Sequence, residues 1–212
     1  MIKLVAISAS YGAGGSEIGP ALAQRLGVPF VDRAIPMAVA EQLEVEYTDA
    51  AAHDENLSGG SLIERILSGF VGSDTVVPTP LPAETITSED FRRATEEALL
   101  EQAATGEGVI IGRGGAILLR TDPRALRVRL DGPVEARIAQ AMRLGGIDRE
   151  TAVRTQQRLD RVHEQYVRHF YEADIRDASL YHLSLDSTAI PFETAVELIV
   201  GAGERVGVPF EV

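Results

Sequence analysis

A glycine-rich turn between an apolar run and a helical pattern is the feature that most constrains this chain. Residues 4–9 (LVAISA) are apolar and partly β-branched, which favours a strand, and Gly12, Gly14 and Gly15 follow at once. The helical pattern comes next, at Ile18, Leu22 and Leu26. In a strand–turn–helix of this kind, unpaired backbone N–H groups and the helix dipole converge on one spot. The stretch therefore predicts a binding site for phosphate or a similar anion.

The turn matches only part of the common phosphate-binding pattern G-x-x-x-x-G-K-[ST]. Residues 9–16 read ASYGAGGS, so Gly14 and Ser16 agree with the pattern, while Ala9 and Gly15 replace its first glycine and its lysine. The lysine normally brings positive charge to the transferring phosphate. The loop is thus predicted to hold an anion, its ability to catalyse stays open, and a plain glycine turn is the alternative.

Two positions in the following helix carry separate expectations. Gly15→Lys is expected to raise phosphotransfer if Gly15 has helical backbone angles, because it restores the missing charge. Pro20 lies one turn inside the predicted helix, where its missing N–H and its ring should bend or weaken that turn.

Length and charge limit the classes of protein to which the chain can belong. Its 212 residues suit one domain with a smaller attached lobe, and the net charge of −12 argues against a nucleic-acid partner. A small phosphorylated ligand remains compatible, since local arginines can outweigh the overall field. With no cysteine and no paired histidine spacing, thiolate chemistry and Cys- or His-ligated metals are not expected. No apolar stretch approaches the about 20 residues that span a bilayer. We expect a cytoplasmic protein without a membrane partner, and a homo-oligomer stays open.

Strands alternate with helices along the chain. Further strands are predicted at residues 28–31, 108–112, 125–131 and 180–186, with helical patterns between them. This alternation predicts a doubly wound parallel sheet that binds ligands at the carboxyl ends of its strands. Arg113 follows one of these strands, which puts a cation at such an end.

Arginines recur on one face of a long predicted helix between Asp148 and Asp174. Arg154, Arg158 and Arg161 are spaced i, i+4 and i+7, beside an apolar stripe on the neighbouring face. Guanidinium groups presented in this way suit bidentate contact with phosphate. The alternative is a solvated face whose acidic partners are Glu150, Asp160 and Glu164.

Together these motifs resemble the cytidylate kinase-like family, distant relatives of bacterial cytidylate kinase among the P-loop nucleoside monophosphate kinases. The stretches that carry the resemblance are residues 11–19 (YGAGGSEIG), 29–32 (PFVD), 111–114 (IGRG), 158–161 (RLDR) and 185–188 (LDST). The resemblance implies one P-loop kinase-like domain over residues 1–212 with a five-stranded parallel sheet. It also implies a small helical monophosphate-binding lobe over 33–90 and a helical lid over 143–177.

The resemblance also implies roles for individual residues, with ATP and Mg²⁺ as cofactors. The ATP phosphates would be held by Gly12, Ala13, Gly14, Gly15 and Ser16, and the Ser16 hydroxyl stands at the usual magnesium position. The acceptor would be bound by Asp32, Arg33 and Arg113. The catalytic lid residues would be Arg154, Arg158, Asp160 and Arg161.

Three functions are compatible with the sequence. The first is a cytidylate-like nucleoside monophosphate kinase, which transfers the ATP γ-phosphate to a small nucleotide or a similar acceptor. The second is a catalytically weak or inactive protein that binds a nucleotide or another phosphorylated ligand, since Gly15 replaces the P-loop lysine. The third is an interaction subunit that binds no nucleotide.

Overall fold

The computed structural model describes residues 2–32, 96–97, 99–112 and 114–205. The chain divides into two units, one formed by Met1–Ala34 with Ala98–Val212 and the other by Ile35–Glu97. The predicted monophosphate-binding lobe over 33–90 lies outside the described residues. The sheet and the helices that cover it belong to the first unit.

A single parallel sheet forms the centre of this unit. Its strands are β1 (Lys3–Ala9), β2 (Phe30–Asp32), β3 (Glu107–Ile111), β4 (Ala125–Asp131) and β5 (Leu183–Asp186). Their order is β2-β3-β1-β4-β5, and every pairing is parallel. The predicted five-stranded, doubly wound parallel sheet is confirmed. The order reverses between β1 and β4, and in such sheets a ligand crevice forms outside the strands at this point.

Helices connect the strands. They are α1 (Gly15–Leu26), α2 (Gly115–Leu118), α3 (Val134–Gly145), α4 (Arg149–Tyr171) and α5 (Phe192–Arg205). Residues 99–104 are helical as well. The segment predicted to be a lid, 143–177, contains α4. Within the described residues, no helix is both long enough and apolar enough to cross a membrane.

Helix α1 continues through Pro20 instead of ending there. Proline removes the hydrogen bond to the carbonyl four residues earlier, which belongs to Ser16. Both residues are exposed, so water can reach this carbonyl. The local conflict therefore does not interrupt the helix.

The two faces of the sheet bury different cores. On one face the β1 and β4 residues Val5, Ile7, Leu126, Val128 and Leu130 pack with α1 and α5. On the other face Leu4, Ala6 and Ala125 pack with Leu99 of the helical stretch 99–104. Further along this second face, Ser8 of β1 stands opposite Arg129 of β4. The second face thus changes from apolar to polar towards the carboxyl ends of the strands.

The last strand is shorter than predicted. Residues 180–186 were expected to be extended, but Ala178–Leu180 forms a turn of 3-10 helix and β5 begins at Leu183. The Asp177 carboxylate accepts a hydrogen bond from the Ser179 amide at 2.9 Å and stabilises this turn. The apolar pattern alone did not reveal this cap.

Two helical glycines provide a matched test of packing. A Cβ on Gly19 of α1 would lie 2.6 Å from Cε2 of Phe30, whereas one on Gly201 of α5 would meet nothing within 4 Å. We expect Gly19→Ala to lower the free energy of unfolding by about 1 kcal/mol through overpacking. Gly201→Ala should raise it by about 0.5–1 kcal/mol through helix propensity. Urea unfolding of both variants measures this, and equal shifts would contradict the packing argument.

Candidate phosphate-binding site

The loop between β1 and α1 has the backbone geometry of an anion nest. Gly12 and Gly14 adopt left-handed φ angles of 77° and 75°, and Gly14 is the N-cap of α1. Within the described part of the chain, the amides of Gly12, Gly14, Gly15 and Ser16 donate to no protein atom. Four unused N–H groups at the positive end of a helix are suited to hold phosphate oxygens.

The space beside Gly15 is already filled. Gly15 is the first residue of α1, so the backbone condition for a lysine is met. A Cβ at this position, however, would lie 2.8 Å from Cβ of Ala9 and 2.6 Å from Cδ1 of Ile111. The backbone angles at Gly15 permit a lysine, but these contacts leave no room for its Cβ. Gly15→Lys is therefore no longer expected to restore the charge and raise phosphotransfer.

A buried arginine lies in the crevice between β1 and β4. Arg129 donates from Nη1 to Ser8 Oγ at 2.9 Å and from Nη2 to Ser10 Oγ at 2.6 Å. Nη2 also lies 3.0 Å from Oδ2 of Asp131, and the Arg129 side chain is 9% exposed. The parallel pairing of the two strands puts these groups side by side. A guanidinium group, paired with Asp131, is therefore fixed beside Ser10 at the start of the β1–α1 loop, although the loop itself has no lysine.

Asp131, at the end of β4, is held in its charged form. Partial burial alone would raise its pKa, but the charge of Arg129 opposes this. Hydrogen bonds from Ser10, Arg129 and the Gly132 amide act in the same direction as that charge. Their combined effect lowers the pKa of Asp131 below its ordinary value. A carboxylate is thus present at the edge of the crevice at neutral pH.

A cavity of about 410 Å³ opens beside these groups, between β4, α3 and α4. Its basic lining residues are Arg129, Arg137, Arg161 and Arg176. Its acidic lining residues are Asp131, Asp160 and Glu164. The volume suits a small-molecule ligand, and the lining offers guanidinium groups, which suit contact with phosphate, and carboxylates, which accept from hydroxyl or amino groups.

Asp160 connects helix α4 to the glycine loop. Its Oδ1 accepts from the Tyr11 amide at 3.1 Å, and its Oδ2 lies 2.8 Å from Nη1 of Arg137. Oδ2 also accepts from Gln156 at 2.8 Å. Asp160, predicted to be catalytic, is thus engaged in docking α4 onto the loop.

The three arginines predicted to form the lid face have different surroundings. Arg161 lines the cavity, whereas Arg154 and Arg158 are not among the described residues that do. Arg154 forms an exposed pair with Glu150 at 2.8 Å, as in the alternative of a solvated face. Arg158 is partly buried on α4. The structure brings only Arg161 and Asp160 of the predicted lid set to this cavity.

Of the predicted acceptor and metal residues, the structure describes Asp32 and Ser16, and neither lines the cavity. Asp32 ends β2, opposite Ile111 of β3, while Arg33 and Arg113 are outside the described residues. Ser16 is exposed in the first turn of α1, so its hydroxyl is available to a metal ion carried by a phosphate. No group of three or more His, Asp or Glu side chains that could hold a metal occurs in the described ranges.

Comparisons with known proteins agree with the fold described above. The model of the cytidylate kinase-like family matches residues 4–189. The chain belongs to this family. No protein of curated function matches the sequence.

Solved structures resemble this cytidylate kinase-like chain in fold. One is an uncharacterized protein from Eubacterium ventriosum ATCC 27560, with 17% identity, a TM-score of 0.65 and coverage of 96% of this chain and 99% of that one. Another is a gluconokinase from Sinorhizobium meliloti 1021, with 18% identity, a TM-score of 0.51 and coverage of 96% and 93%. These likenesses support a P-loop kinase-type α/β fold.

Four polar residues around the β1–α1 loop were given no role from the sequence, although Ser187 lies in the 185–188 stretch that carries the family resemblance. They are Arg129, Arg137, Gln140 and Ser187, and all four are buried. One indication was available: Arg127 and Arg129 alternate with apolar residues in a strand of a sheet expected to be covered on both faces. A buried arginine needs partners, so two in one such strand indicate a polar site.

The contacts around Gly15 predict that substitutions at positions 9 and 15 change the free energy of unfolding non-additively. Gly15→Ala should lower the free energy of unfolding by about 1–3 kcal/mol, because its Cβ meets that of Ala9. Adding Ala9→Gly removes one of the two clashes, so the double variant should recover part of the loss. Chemical denaturation of the two single variants and the double variant measures the coupling. Strictly additive effects would contradict the shared-space argument.

His163 predicts a dependence of stability on pH. It lines the cavity, where desolvation and the charge of Arg129 lower its pKa to about 4, against the opposing effect of Asp160. In the unfolded chain this histidine has its ordinary pKa of about 6.5, so at lower pH the unfolded state binds a proton that the folded state does not. The free energy of unfolding is therefore unaffected above about pH 6.5 and falls as the pH drops towards 4.

Replacement of this histidine isolates the effect. His163→Gln cannot titrate, so it should lose on the order of 1–3 kcal/mol less stability than the wild type between pH 7 and pH 4. Urea unfolding at both pH values tests this. Equal losses in the two proteins would assign the acid sensitivity to other groups.

Proposed function

We propose that the chain is an ATP- and Mg²⁺-dependent phosphotransferase. The proposed acceptor is a nucleoside monophosphate of the cytidylate type or a similar small phosphorylated compound. One observation carries the proposal: four amides of the β1–α1 loop donate to no protein atom in the described ranges, and Ser10, at the start of this loop, lines a cavity together with Arg129, Arg137 and Arg161. Phosphoryl transfer needs mainly positioning and fixed positive charge, and this arrangement offers both.

The loop residues would hold the ATP phosphates. Gly12, Gly14, Gly15 and Ser16 supply backbone amides, and the exposed Ser16 hydroxyl is the proposed ligand of Mg²⁺. The ion, when bound, neutralises charge on the transferring phosphoryl group. Ala13 donates its own amide to Ser10 and contributes to the shape of the loop.

Arginines would replace the P-loop lysine as the source of charge. Arg129 is fixed by two serines and Asp131, which preorganises it next to the loop. Arg161 comes from α4, which we propose acts as the lid together with Arg154, Arg158 and Asp160. Cations of a closing lid stabilise charge that develops during transfer more than the ground state.

Acceptor binding is proposed for Asp32, the last residue of β2, and for Arg33 and Arg113, which follow β2 and β3 in the sequence. Residues 33–90 are the proposed monophosphate-binding lobe. We further propose a cytoplasmic setting with no nucleic-acid or membrane partner, in keeping with the net charge of −12. Assembly into a homo-oligomer is compatible with this proposal.

A second candidate is a protein that binds a nucleotide or another phosphorylated ligand with weak or no catalysis. The filled space beside Gly15 favours it, because the position that normally carries the lysine cannot accommodate a side chain. The anion nest is the same in both candidates. They differ in whether the arginines act on the transition state or only on the bound ligand.

Arg161→Ala separates the candidates, with Arg149→Ala as its control on the same helix. Arg149 forms an exposed pair with Glu135 at 2.7 Å. In an enzyme, Arg161→Ala should lower turnover by about 100-fold or more and change MgATP affinity much less, whereas Arg149→Ala should change neither. ADP formation across a panel of nucleoside monophosphates and calorimetry with MgATP measure the two quantities.

MgATP binding and turnover of the wild-type protein separate the remaining possibilities. Binding of MgATP without turnover on any acceptor would favour the second candidate. No thermal stabilisation by MgATP would reject the first candidate, and would leave of the second only a protein that binds a different phosphorylated ligand. Turnover that survives Arg161→Ala unchanged would remove Arg161 from the proposed mechanism.

A further inference from the structure

Three consecutive carbonyls of the glycine loop are each held by a side chain from another part of the chain. Tyr11 O accepts from Nη1 of Arg137 at 2.8 Å, and Gly12 O accepts from Nε2 of Gln140 at 3.0 Å. Ala13 O accepts from Oγ of Ser187 at 2.7 Å. Two of these donors belong to α3, and the third follows β5.

The three donors are fixed in place before any ligand arrives. The relative exposures of Arg137, Gln140 and Ser187 are 4%, 6% and 0%. Gln140 also donates to the Ser187 carbonyl at 3.4 Å and accepts from Arg143 at 3.3 Å. Buried donors with several partners have few alternative rotamers, so they define the direction of the carbonyls that they bind.

The direction of a carbonyl determines the direction of the next amide. In a planar trans peptide, the C=O of one residue and the N–H of the following residue point in opposite directions. The bonds to Tyr11 O and Ala13 O therefore turn the amides of Gly12 and Gly14 away from the donors. Those two amides are among the four that donate to no protein atom in the described ranges.

The middle peptide is held at both ends. Gly12 O accepts from Gln140, while the Ala13 amide donates to Ser10 O at 3.0 Å. Gly12 and Gly14, on either side of Ala13, have left-handed φ angles, and glycine adopts either sign of φ at little cost. Without the Gln140 and Ser187 donors, the Gly12–Ala13 peptide keeps only its bond to Ser10, and the Ala13 carbonyl loses its partner.

We propose that Gln140 and Ser187 are positioning residues of the β1–α1 loop: Ser187 orients the Gly14 amide through the Ala13 carbonyl, and Gln140 fixes the preceding Gly12–Ala13 peptide. They act through the loop and need not touch the ligand. The inference rests on the proposed binding of phosphate by this loop. It adds that the nest is built by α3 and the segment after β5, and not by the glycine sequence alone.

The test uses Ser187→Ala and Gln140→Met, each of which removes one donor. The control is Thr188→Val, which removes the neighbouring hydroxyl, whose partner is Asp186 at 2.6 Å and not the loop. All proteins are studied well below their unfolding transitions, so that a change in global stability does not affect the readouts.

Two readouts are taken. Calorimetry with MgATP should give affinities about tenfold weaker for both donor variants, the change expected from one net hydrogen bond, and an unchanged affinity for Thr188→Val. Hydrogen exchange of the Ala13 amide, measured by NMR without ligand, should be about tenfold faster or more in the donor variants alone.

The outcomes separate this inference from the proposed function. A wild type that binds no MgATP rejects the proposed function, and the Ala13 exchange rates then still decide whether the donors order the loop. MgATP affinities equal to that of the wild type in both donor variants overturn the positioning role. Equal Ala13 exchange in the wild type and both donor variants overturns it as well.

Discussion

The geometry of the site depends on the contacts that the guanidinium group of Arg137 makes. Its side chain is 5% exposed, and it contacts the glycine loop at Tyr11 O, the end of β4 at Gly132 O and helix α4 at Asp160. A buried charge is tolerated only when its hydrogen bonds and counter-charges are supplied, and removal of one partner typically costs about 3–5 kcal/mol. Loop, strand end and helix are therefore held together by one group. Asp160 has a structural role in this arrangement whatever its part in chemistry.

The polar site forms because the second face of the sheet changes character along its strands. Leu4 and Ala6 of β1 are buried against apolar groups, while Ser8 and Ser10 bind Arg129 of the adjacent strand. Because β1 and β4 pair in parallel, their polar residues lie side by side at the carboxyl edge of the sheet. The guanidinium group at this edge is already desolvated and held in place by the protein, the preorganisation that the proposed binding of an anion requires.

The sequence predicted the sheet and the glycine turn after β1 well, but it did not predict the contacts of the buried arginines. Strand and helix periods depend on local patterns, so β4 at Ala125–Asp131 and the turn at Gly12 and Gly14 could be derived from neighbouring residues. The contacts of Arg129 and Ser187 depend on strand order, which brings together residues more than 100 positions apart. Helical spacing grouped Arg154 with Arg161, but spacing alone does not specify which arginine faces a cavity and which faces Glu150.

The close approach of Ala9 to Gly15 also has a consequence for how sequences of this kind can vary. Because the two Cβ positions compete for one volume, the residues form a single unit of sequence change. A relative with alanine at the first position is expected to keep glycine at the second. A side chain at the second requires glycine at the first, together with an adjustment of the side chain at the position of Ile111. The absence of a side chain at position 15 is thus coupled to the residue at position 9, and co-variation between the two positions in related sequences would reveal this coupling.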